Sequence, residues 1–361
     1  MKAFAAIHLN GEKTMRIIVD VMGGDNAPHE LVKGVVEAAE RYTANYILVG
    51  DKPAIEAIAA AEGYDLSRFE IVHTEQVITM EDDPISVVRA KSDSSMSRGL
   101  HLLAEGQGDA FVSAGNTGAL FTGATLIVRK IKGIQRAAIA SVLPLENPVL
   151  LLDSGANLTV TPDQLVQFGM MGSIYMQNLF NLSAPRVGLL NNGAEACKGT
   201  PLQVETYQKL LADETINFVG NIEGNRVPRN VCDVLVTDGF SGNIVLKYTE
   251  GMGKLMLGTL KGLFKANAVS MMSALLVKKG LGSIKERFDA SNYGGAPFLG
   301  ISRPVIKSHG SSKAKEFRNA IHQAIEYVNT GVTYDIARAL ADAKEKKAEA
   351  ASAEGKDGEN G

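Results

Sequence analysis

The chain has 361 residues, of which 45% are hydrophobic and 21% charged, and its formal net charge is -3. This length can bury one large core or two ordinary ones, and the charge balance gives no indication of nucleic-acid binding. Two cysteines, Cys197 and Cys232, suit a reducing compartment and argue against a disulfide framework or a Cys-rich zinc site.

Residues 1–14, "MKAFAAIHLNGEKT", lack the apolar centre of a secretory signal, and we expect them to be an N-terminal extension. From residue 15 onward, short β-branched or apolar runs alternate with segments of helical spacing. The predicted strands span residues 16–21, 46–50, 68–73, 109–113, 137–143, 149–153, 186–190, 217–219 and 233–237. The predicted helices span residues 28–39, 53–62, 93–105, 161–178 and 201–211, with another after the loop at 113–118.

This alternation predicts an α/β fold whose mostly parallel, doubly wound sheet is covered by helices on both faces. Two uncharged runs, 110–128 and 164–185, have the length of membrane spans. Glycine, asparagine and threonine interrupt the first, and the second carries glutamine and asparagine at its ends. We therefore expect a strand, loop and helix in the first and a buried helix in the second. Residues 341–361 are predicted to be a fraying helix followed by a disordered tail.

Several predicted strands end in loops rich in Gly, Asn, Ser and Asp. These loops are "MGGDNAP", "SAGNTG", "DSGAN", "NNGAEACKGTP", "DGFSGN" and "KSHGSS". The chain lacks a Walker A loop, a G-x-G-x-x-G fingerprint, a G-x-S-x-G elbow and H-E-x-x-H. Backbone N–H groups and neutral side chains remain as donors for an anion, several of them at helix N-termini. We expect the loops to surround one cleft with a phosphate site. The alternative is that Gly and Asn only cap helices and close turns.

Two side chains that can carry positive charge lie in these loops. Lys198 follows Cys197 in a Gly-flanked loop and is suited to neutralising phosphate, or it is a solvated loop lysine. His309 lies between a predicted strand and a helix, where it can orient an anion or move a proton, or simply cap the turn. Cys197 has no histidine nearby in sequence, so we expect a thiol without a catalytic role.

Residues 251–288, here called the basic–apolar arm, depart from the alternating pattern. Apolar residues at helical spacing are followed by "AVSMMSALLV" at 268–277, too short to span a bilayer. Between Lys254 and Arg287 there are seven basic residues and one acid, a local balance of +6. Such a segment suits an anionic membrane surface or an acidic partner protein, with Phe264, Met272 and Leu276 as contact residues. The alternative is a helical arm buried in a homodimer.

The strand-end motifs resemble those of a known family. "IIVDVMGGDNAP", "DAFVSAGNTGAL", "LLDSGAN", "GLLNNGAEACKGTPL" and "VTDGFSGNIVLK" are similar to the bacterial acyl-[acyl-carrier-protein]:phosphate acyltransferase (PlsX) family, over residues 16–340. In the fourth motif, where family members carry a run of acids, only Glu195 keeps the acidic character, and Cys197 matches no family position.

This resemblance implies an isocitrate/isopropylmalate dehydrogenase-like fold and a homodimer in the cytoplasm, peripherally associated with the membrane. It implies acyl transfer from acyl carrier protein to inorganic phosphate, which gives an acyl phosphate for a glycerol-3-phosphate acyltransferase. No cofactor, metal or nucleic acid is implied. The alternatives are an acyl-coenzyme A-dependent phosphate acyltransferase and a non-catalytic membrane scaffold for lipid synthesis.

For this reaction the enzyme must hold a dianion against an acyl carbon and stabilise an oxyanion. We expect direct transfer in a ternary complex, with Lys198, His309 and Asn243 as catalytic residues. The expected substrate-binding residues lie in the other loop positions: Gly24, Asp25, Asn116, Thr117, Asp153, Asn157, Asn192, Ser241 and Ser311. Asp153 fits least well because a carboxylate repels phosphate, so it is assigned to orienting loop amides or binding the carrier's pantetheine arm.

Overall fold

A computed structural model describes residues 14–276, 280, 282 and 294–357. Within these residues, eleven strands form one sheet in the order β3-β2-β1-β4-β11-β10-β5-β6-β9-β7-β8. The strands are β1 (Arg16–Asp20), β2 (Asn45–Gly50), β3 (Phe69–His73), β4 (Ala110–Ser113), β5 (Ala138–Leu143), β6 (Val149–Leu152), β7 (Val187–Asn191), β8 (Phe218–Glu223), β9 (Val234–Val236), β10 (Ala296–Leu299) and β11 (Val305–Lys307).

The sheet consists of two parallel groups that run in opposite directions. β3, β2, β1, β4 and β11 are mutually parallel, as are β6, β9, β7 and β8. Between them the β11–β10, β10–β5 and β5–β6 ladders are antiparallel. Three reversals invert the strand direction, so the carboxyl ends of the two groups do not share one edge. The sequence analysis did not predict β10 or this inversion.

Helices cover both faces of the sheet. They are α1 (His29–Arg41), α2 (Lys52–Glu62), α3 (Ser95–Ala104), α4 (Thr117–Gly123), α5 (Pro162–Phe180), α6 (Pro201–Ala212), α7 (Gly239–Lys265), α8 (Ala268–Leu276), α9 (Ala314–Thr330) and α10 (Val332–Asp357). Alternate residues of β1 enter different cores. Ile17 and Val19 pack with residues of α1 and α9, whereas Ile18 packs with residues of α3 and α4. The predicted α/β class with a mostly parallel, doubly wound sheet is confirmed.

Two expectations about the chain ends meet different outcomes. Residues 341–357, expected to be a fraying helix and then a disordered tail, continue α10, and the disordered tail itself stays a prediction. The physical reason is composition, because Ala, Glu and Lys have high helix propensity. The expected N-terminal extension lies outside the described residues except for Thr14, as do residues 358–361.

The basic–apolar arm is described only in part. Its first half forms the end of α7 and all of α8, while Lys278, Lys279, Lys285 and Arg287 lie outside the described residues. Across the described part of the chain, no helix combines the length and apolar character needed to cross a bilayer. Residues 110–128 form β4, a loop, α4 and a π-helical turn, as the sequence analysis expected of an interrupted apolar run.

Candidate active site

The loops that follow β1 and β11 are joined by hydrogen bonds. The Asp25 N–H donates to the Gly310 carbonyl over 2.9 Å. The Asn26 amide donates to the Ser311 and Ser312 carbonyls at 3.0 and 3.3 Å. Gly24 has φ +112°, and a Cβ there would lie 2.9 Å from the Gly310 carbonyl oxygen. The close approach of the two loops therefore requires glycine at position 24.

Beneath these loops lies a row of polar residues at the ends of three adjacent strands. Asp20 on β1 and Lys307 on β11 both pair in register with Ser113 on β4. The Ser113 hydroxyl donates to Asp20 Oδ2 at 2.7 Å. The Lys307 ammonium donates to the Ala114 carbonyl at 3.1 Å and to the Ser308 carbonyl. Asp20 is fully buried and Lys307 is 8% exposed.

The sequence analysis did not select Asp20 or Lys307. The available signal was an ionisable side chain that ends a strand directly after an apolar run, Ile17–Val19 before Asp20 and Val305–Ile306 before Lys307. Burial of a charge is costly unless it is paired, so such positions are candidates for function. What the sequence did not reveal is that β1, β4 and β11 are neighbours.

Burial and neighbouring charges change the pKa values of this group. Burial raises the pKa of Asp20. Burial lowers the pKa of Lys307 to about 8, although the carboxylates of Asp20 and Asp25 act in the opposite direction. The pKa of His309 is lowered by burial and then by the positive charges of Lys247 and Lys307. The edge of the sheet therefore combines a cationic lysine with a neutral imidazole near neutral pH.

Hydrogen bonds define the tautomer of neutral His309. Its Nδ1 accepts from the Ser311 N–H at 3.2 Å and lies 2.9 Å from the Ser311 hydroxyl. Because Nδ1 is an acceptor, the proton of the neutral ring is on Nε2. His309 therefore offers an N–H donor, held by the loop that it begins. The expected residues Gly24, Asp25, Ser311 and His309 thus lie in one unit.

Asn116 has a structural role that the sequence analysis did not foresee. Its Oδ1 accepts from the Ala119 N–H at 3.0 Å and caps α4. Its Nδ2 lies 3.1–3.2 Å from the carbonyls of Thr79, Met80 and Asp82. An amide has two N–H donors, so these carbonyls occupy them. In this structure the Asn116 side chain therefore anchors residues 79–82, and its expected role in substrate binding stays a prediction. Thr117, exposed in the first turn of α4, is the available side chain of this loop.

A second group of loops follows β6 and β9. Asp153 is fully buried, and its carboxylate accepts from backbone N–H groups of Ile139, Gly155, Ala156 and Asn157. The Asn157 amide donates to Asp153 and to the Ala137 carbonyl, both at 2.8 Å. These two expected substrate-binding side chains therefore make their hydrogen bonds within the protein and shape the loop backbone.

The N-terminus of α7 lies against this loop. Asp238 caps the helix by accepting from the Ser241 N–H and hydroxyl, both at 2.8 Å, so the Ser241 hydroxyl also has an internal partner. Asn243, one turn further, is exposed. A Cβ on Gly155 would lie 3.2 Å from the Asn243 amide nitrogen. The exposed amide of Asn243 therefore lies beside the Gly155 loop, where it can contact a ligand.

Lys198 and Asn192 lie in the loop between β7 and α6, where both are exposed together with Cys197. The Asn191 amide donates to the Lys198 carbonyl at 3.0 Å, and the Asn221 amide on β8 donates to the Glu195 carbonyl at 2.8 Å. These bonds fix the backbone and leave the Lys198 ammonium at the surface. Because β6, β9 and β7 are parallel, this loop follows the same edge as the Asp153 and Asp238 loops.

The sequence-predicted residues thus lie in loops that follow two different strand groups, and the expectation that all of these loops surround one cleft stays a prediction. One set of loops contains Gly24, Asp25, Thr117, His309 and Ser311; the other contains Asp153, Asn157, Asn192, Lys198, Ser241 and Asn243. α7 connects them, since it begins beside Asp153 and carries Lys247 close enough to act on the pKa values of Lys307 and His309. Among the described residues, no cluster of His, Cys, Asp or Glu is suited to hold a metal ion.

Comparisons with known proteins show the family of the chain. Residues 15–335 match the family model described as "Fatty acid synthesis protein". The phosphate acyltransferase of Alkaliphilus oremlandii is 43% identical over 327 residues, which cover 90% of this chain and 97% of that protein. The phosphate acyltransferase of Acetivibrio thermocellus is 44% identical over 318 residues, 88% of this chain and 94% of that protein.

Solved structures share the fold at low sequence identity. A phosphotransacetylase from Streptococcus pyogenes gives a TM-score of 0.60 at 15% identity and covers 88% of this chain and 94% of its own. A 4-hydroxythreonine-4-phosphate dehydrogenase from Klebsiella pneumoniae gives 0.53 at 13% identity, covering 87% and 99%. One fold therefore serves both a transferase and a dehydrogenase, so the residues of the site must decide the chemistry.

Proposed function

This chain belongs to the fatty acid synthesis protein family and is an acyltransferase, and from that premise we propose that it transfers a long-chain acyl group from acyl carrier protein to inorganic phosphate. The observation that carries the proposal is the match, over nearly their whole length, to relatives named phosphate acyltransferase. The product, an acyl phosphate, is a suitable substrate for a glycerol-3-phosphate acyltransferase in phospholipid synthesis.

The proposed chemistry is direct attack of phosphate on the thioester. A phosphate oxygen bonds to the carbonyl carbon, and the carbonyl electron pair moves onto its oxygen. When the tetrahedral intermediate collapses, the C–S bond breaks and its electron pair leaves with sulfur. A thiolate is a good leaving group, since the pKa of a thiol is roughly 8.5. The enzyme must therefore supply position and charge stabilisation above all.

The residues suited to these tasks lie at the two groups of loops. Lys198, an exposed ammonium beside the glycine-rich turn at Gly193, is assigned to phosphate. The exposed amide of Asn243 is assigned to the reacting acyl group. The Nε2–H of neutral His309 is assigned to donating a hydrogen bond to phosphate or to the departing sulfur. For these residues to meet on one substrate, the ligand must extend along the first turns of α7.

Surface chemistry supports two further proposals about partners. α7 exposes large apolar side chains at helical spacing, among them Phe240, Ile244 and Tyr248. We propose that this face joins a second copy of the chain in a homodimer. Val269 and Met272 on α8 are 74% and 70% exposed, and in sequence the arm carries lysines on both sides of α8. We propose that α8 contacts an anionic membrane surface, which places the enzyme at the cytoplasmic membrane as a peripheral protein.

A donor-swap experiment tests the reaction. Purified protein is incubated with inorganic phosphate and either palmitoyl-acyl carrier protein or palmitoyl-coenzyme A, and acyl phosphate is trapped with hydroxylamine. The proposal expects rapid hydroxamate formation from the carrier-protein donor. Preference for the coenzyme A donor favours a phosphate acyltransferase that uses acyl-coenzyme A in place of acyl carrier protein. No product from either donor favours a non-catalytic scaffold.

A separate experiment tests whether the acyl group passes through the enzyme. Cys197 is the exposed thiol in the Lys198 loop. Direct transfer predicts that Cys197→Ala keeps its activity and that the protein carries no covalent acyl group by intact-mass spectrometry after mixing with the donor alone. An acylated Cys197 overturns direct transfer but leaves the overall reaction standing.

A further inference from the structure

We propose that Lys307 is a positioning residue of the acyl-transfer site, whose ammonium ties the loop after β4 to the loop after β11 and supplies buried positive charge beside the bound anion. The second part of this proposal rests on the proposed function. The first part concerns the protein alone.

The placement of Lys307 is the first step of the argument. It ends β11 and lies in register with Ser113, which in turn lies in register with Asp20. The side chain is 8% exposed, although lysine is among the residues least often buried. Its nearest carboxylate in this row, Asp20, is fully buried and already accepts from Ser113 at 2.7 Å. A lysine and an aspartate are thus buried two strands apart, with a serine between them.

The hydrogen bonds of the ammonium are the second step. Its acceptors, the Ala114 and Ser308 carbonyls, are the first residues after β4 and β11. One cation therefore holds the starting points of two loops. The Ser308 hydroxyl also lies 2.8 Å from the Ser312 hydroxyl, so the far end of the β11 loop is tied to the same point. His309 lies inside this closed turn. Removing the ammonium leaves the Ala114 and Ser308 carbonyls without this donor. It also removes the positive charge that acts on the buried carboxyl group of Asp20.

The surrounding charges make this arrangement pH-dependent. The groups that act on Lys307 are Asp20 from β1, Asp25 from the following loop and Lys247 from α7. Glu250 and Lys254 of α7 act on the neighbouring His309. Burial outweighs the two carboxylates and gives Lys307 a pKa of about 8. Above that pH the amine is neutral, so both the attraction for an anion and one of its N–H donors are lost.

Two substitutions separate charge from shape. Lys307→Met removes the charge and keeps an unbranched chain, whereas Lys307→Arg keeps a charge that does not titrate below pH 12. Lys313→Met, an exposed lysine at the start of α9, is the matched control for loss of one positive charge. We expect Lys307→Met to raise the phosphate KM at least tenfold with a smaller change in the KM for the acyl donor. Lys313→Met should change neither.

The dependence of kcat/KM on pH separates a role for the charge of Lys307 from a merely structural role, which would not change it. Wild-type kcat/KM for phosphate should fall as pH rises through about 8, since Lys307 loses its proton there. In Lys307→Arg, kcat/KM for phosphate should not show this fall, because the arginine keeps its charge at these pH values. The comparison uses the ratio of variant to wild-type kcat/KM at each pH. If Lys307→Met does not fold, Lys307→Arg decides the matter: a folded Arg variant with an unmoved alkaline limb overturns the proposal.

Hydrogen exchange keeps the loop tie testable even if the proposed reaction is wrong. In Lys307→Met, amides of residues 22–27, 114–118 and 308–312 should exchange faster than in wild type, while those of α6 remain unchanged. Unchanged exchange in these loops in a folded variant overturns the tie. Absence of acyl phosphate formation by wild type overturns the proposed function and the anion part only.

Discussion

The Asp153 carboxylate binds the backbone and the side chain of Asn157 with the same oxygen. Oδ2 accepts from the Asn157 N–H at 2.7 Å and from its amide Nδ2 at 2.8 Å. Oδ1 accepts from the Ile139 and Gly155 N–H groups at 3.1 and 3.0 Å. A buried carboxylate that faces only donors is the organising centre of its loop. The loop backbone thereby keeps its shape before any ligand arrives.

Replacing Asp153 with alanine should therefore destabilise the protein. The variant leaves several buried N–H groups without an acceptor, and we expect the free energy of unfolding to fall by about 3 kcal/mol. Urea denaturation followed by circular dichroism measures this change. The control is Asp163→Ala, whose exposed ion pair with Lys209 at 2.8 Å should contribute less than about 1 kcal/mol. Equal losses in the two variants contradict the organising role.

The sequence predicted most elements because their signals are local. The strand predicted at 149–153 is observed as β6 (Val149–Leu152), and the helix predicted at 161–178 is observed as α5 (Pro162–Phe180), which Thr161 caps. The order of strands depends on long-range pairing, which no local pattern encodes. β10, four residues long and joined to β11 and β5 by antiparallel ladders, was missed for this reason.

Lys198 should control the use of phosphate. Its ammonium is exposed in a loop whose backbone is held by Asn191 and Asn221, so Lys198→Ala removes charge with little effect on the fold. We expect the phosphate KM to rise at least tenfold, about 1.4 kcal/mol, or turnover to be lost. Steady-state kinetics with varied phosphate measures the change. Lys209→Ala, on the adjacent helix α6, serves as the control; a phosphate KM equal to that of wild type removes Lys198 from the site.

Residue types in the loops indicated a polar site, but their partners determine which side chains remain available. Asn116 and Asn157 were predicted as ligand donors because asparagine amides bind anions. In the structure the Asn116 amide serves residues 79–82, and the Asn157 amide serves Asp153 and Ala137. Four of these five partners lie 20 or more residues away, beyond the reach of a sequence motif. Asn243, on the first turns of α7, and Lys198, in the loop before α6, remain exposed.

His309 should titrate below the ordinary histidine range. Burial and the charges of Lys247 and Lys307 lower its pKa, so the ring is neutral at pH 7. As the pH falls through 6.5, the unfolded chain takes up this proton before the folded chain, and the stability associated with His309 decreases. NMR titration of labelled histidine, assigned with His309→Gln, measures the pKa. Lys247→Met should raise it; an unchanged pKa shows that α7 does not couple the two groups of loops.

His309→Gln should also slow the reaction. If the Nε2–H donates a hydrogen bond to phosphate or to the departing sulfur, kcat should fall about 100-fold, the usual loss when one donor to developing negative charge is removed. Stopped-time assays of acyl phosphate formation measure it. His101→Gln, which alters an exposed histidine on α3, is the matched control. A kcat within twofold of wild type assigns His309 to the turn and not to the chemistry.

Acidic substitution on α8 should release the protein from anionic membranes. Phe264 lies near the end of α7 and Met272 is 70% exposed on α8; the side chain of the third predicted contact, Leu276, lies outside the described residues. Glutamate at position 272 places a charge in the apolar surface and opposes the neighbouring lysines' attraction to lipid. Co-sedimentation with phosphatidylglycerol vesicles should fall at least fivefold for Met272→Glu and for Phe264→Glu. Leu211→Glu, 61% exposed on α6, is the control, and vesicle binding by Met272→Glu equal to that of Leu211→Glu contradicts membrane contact through this surface.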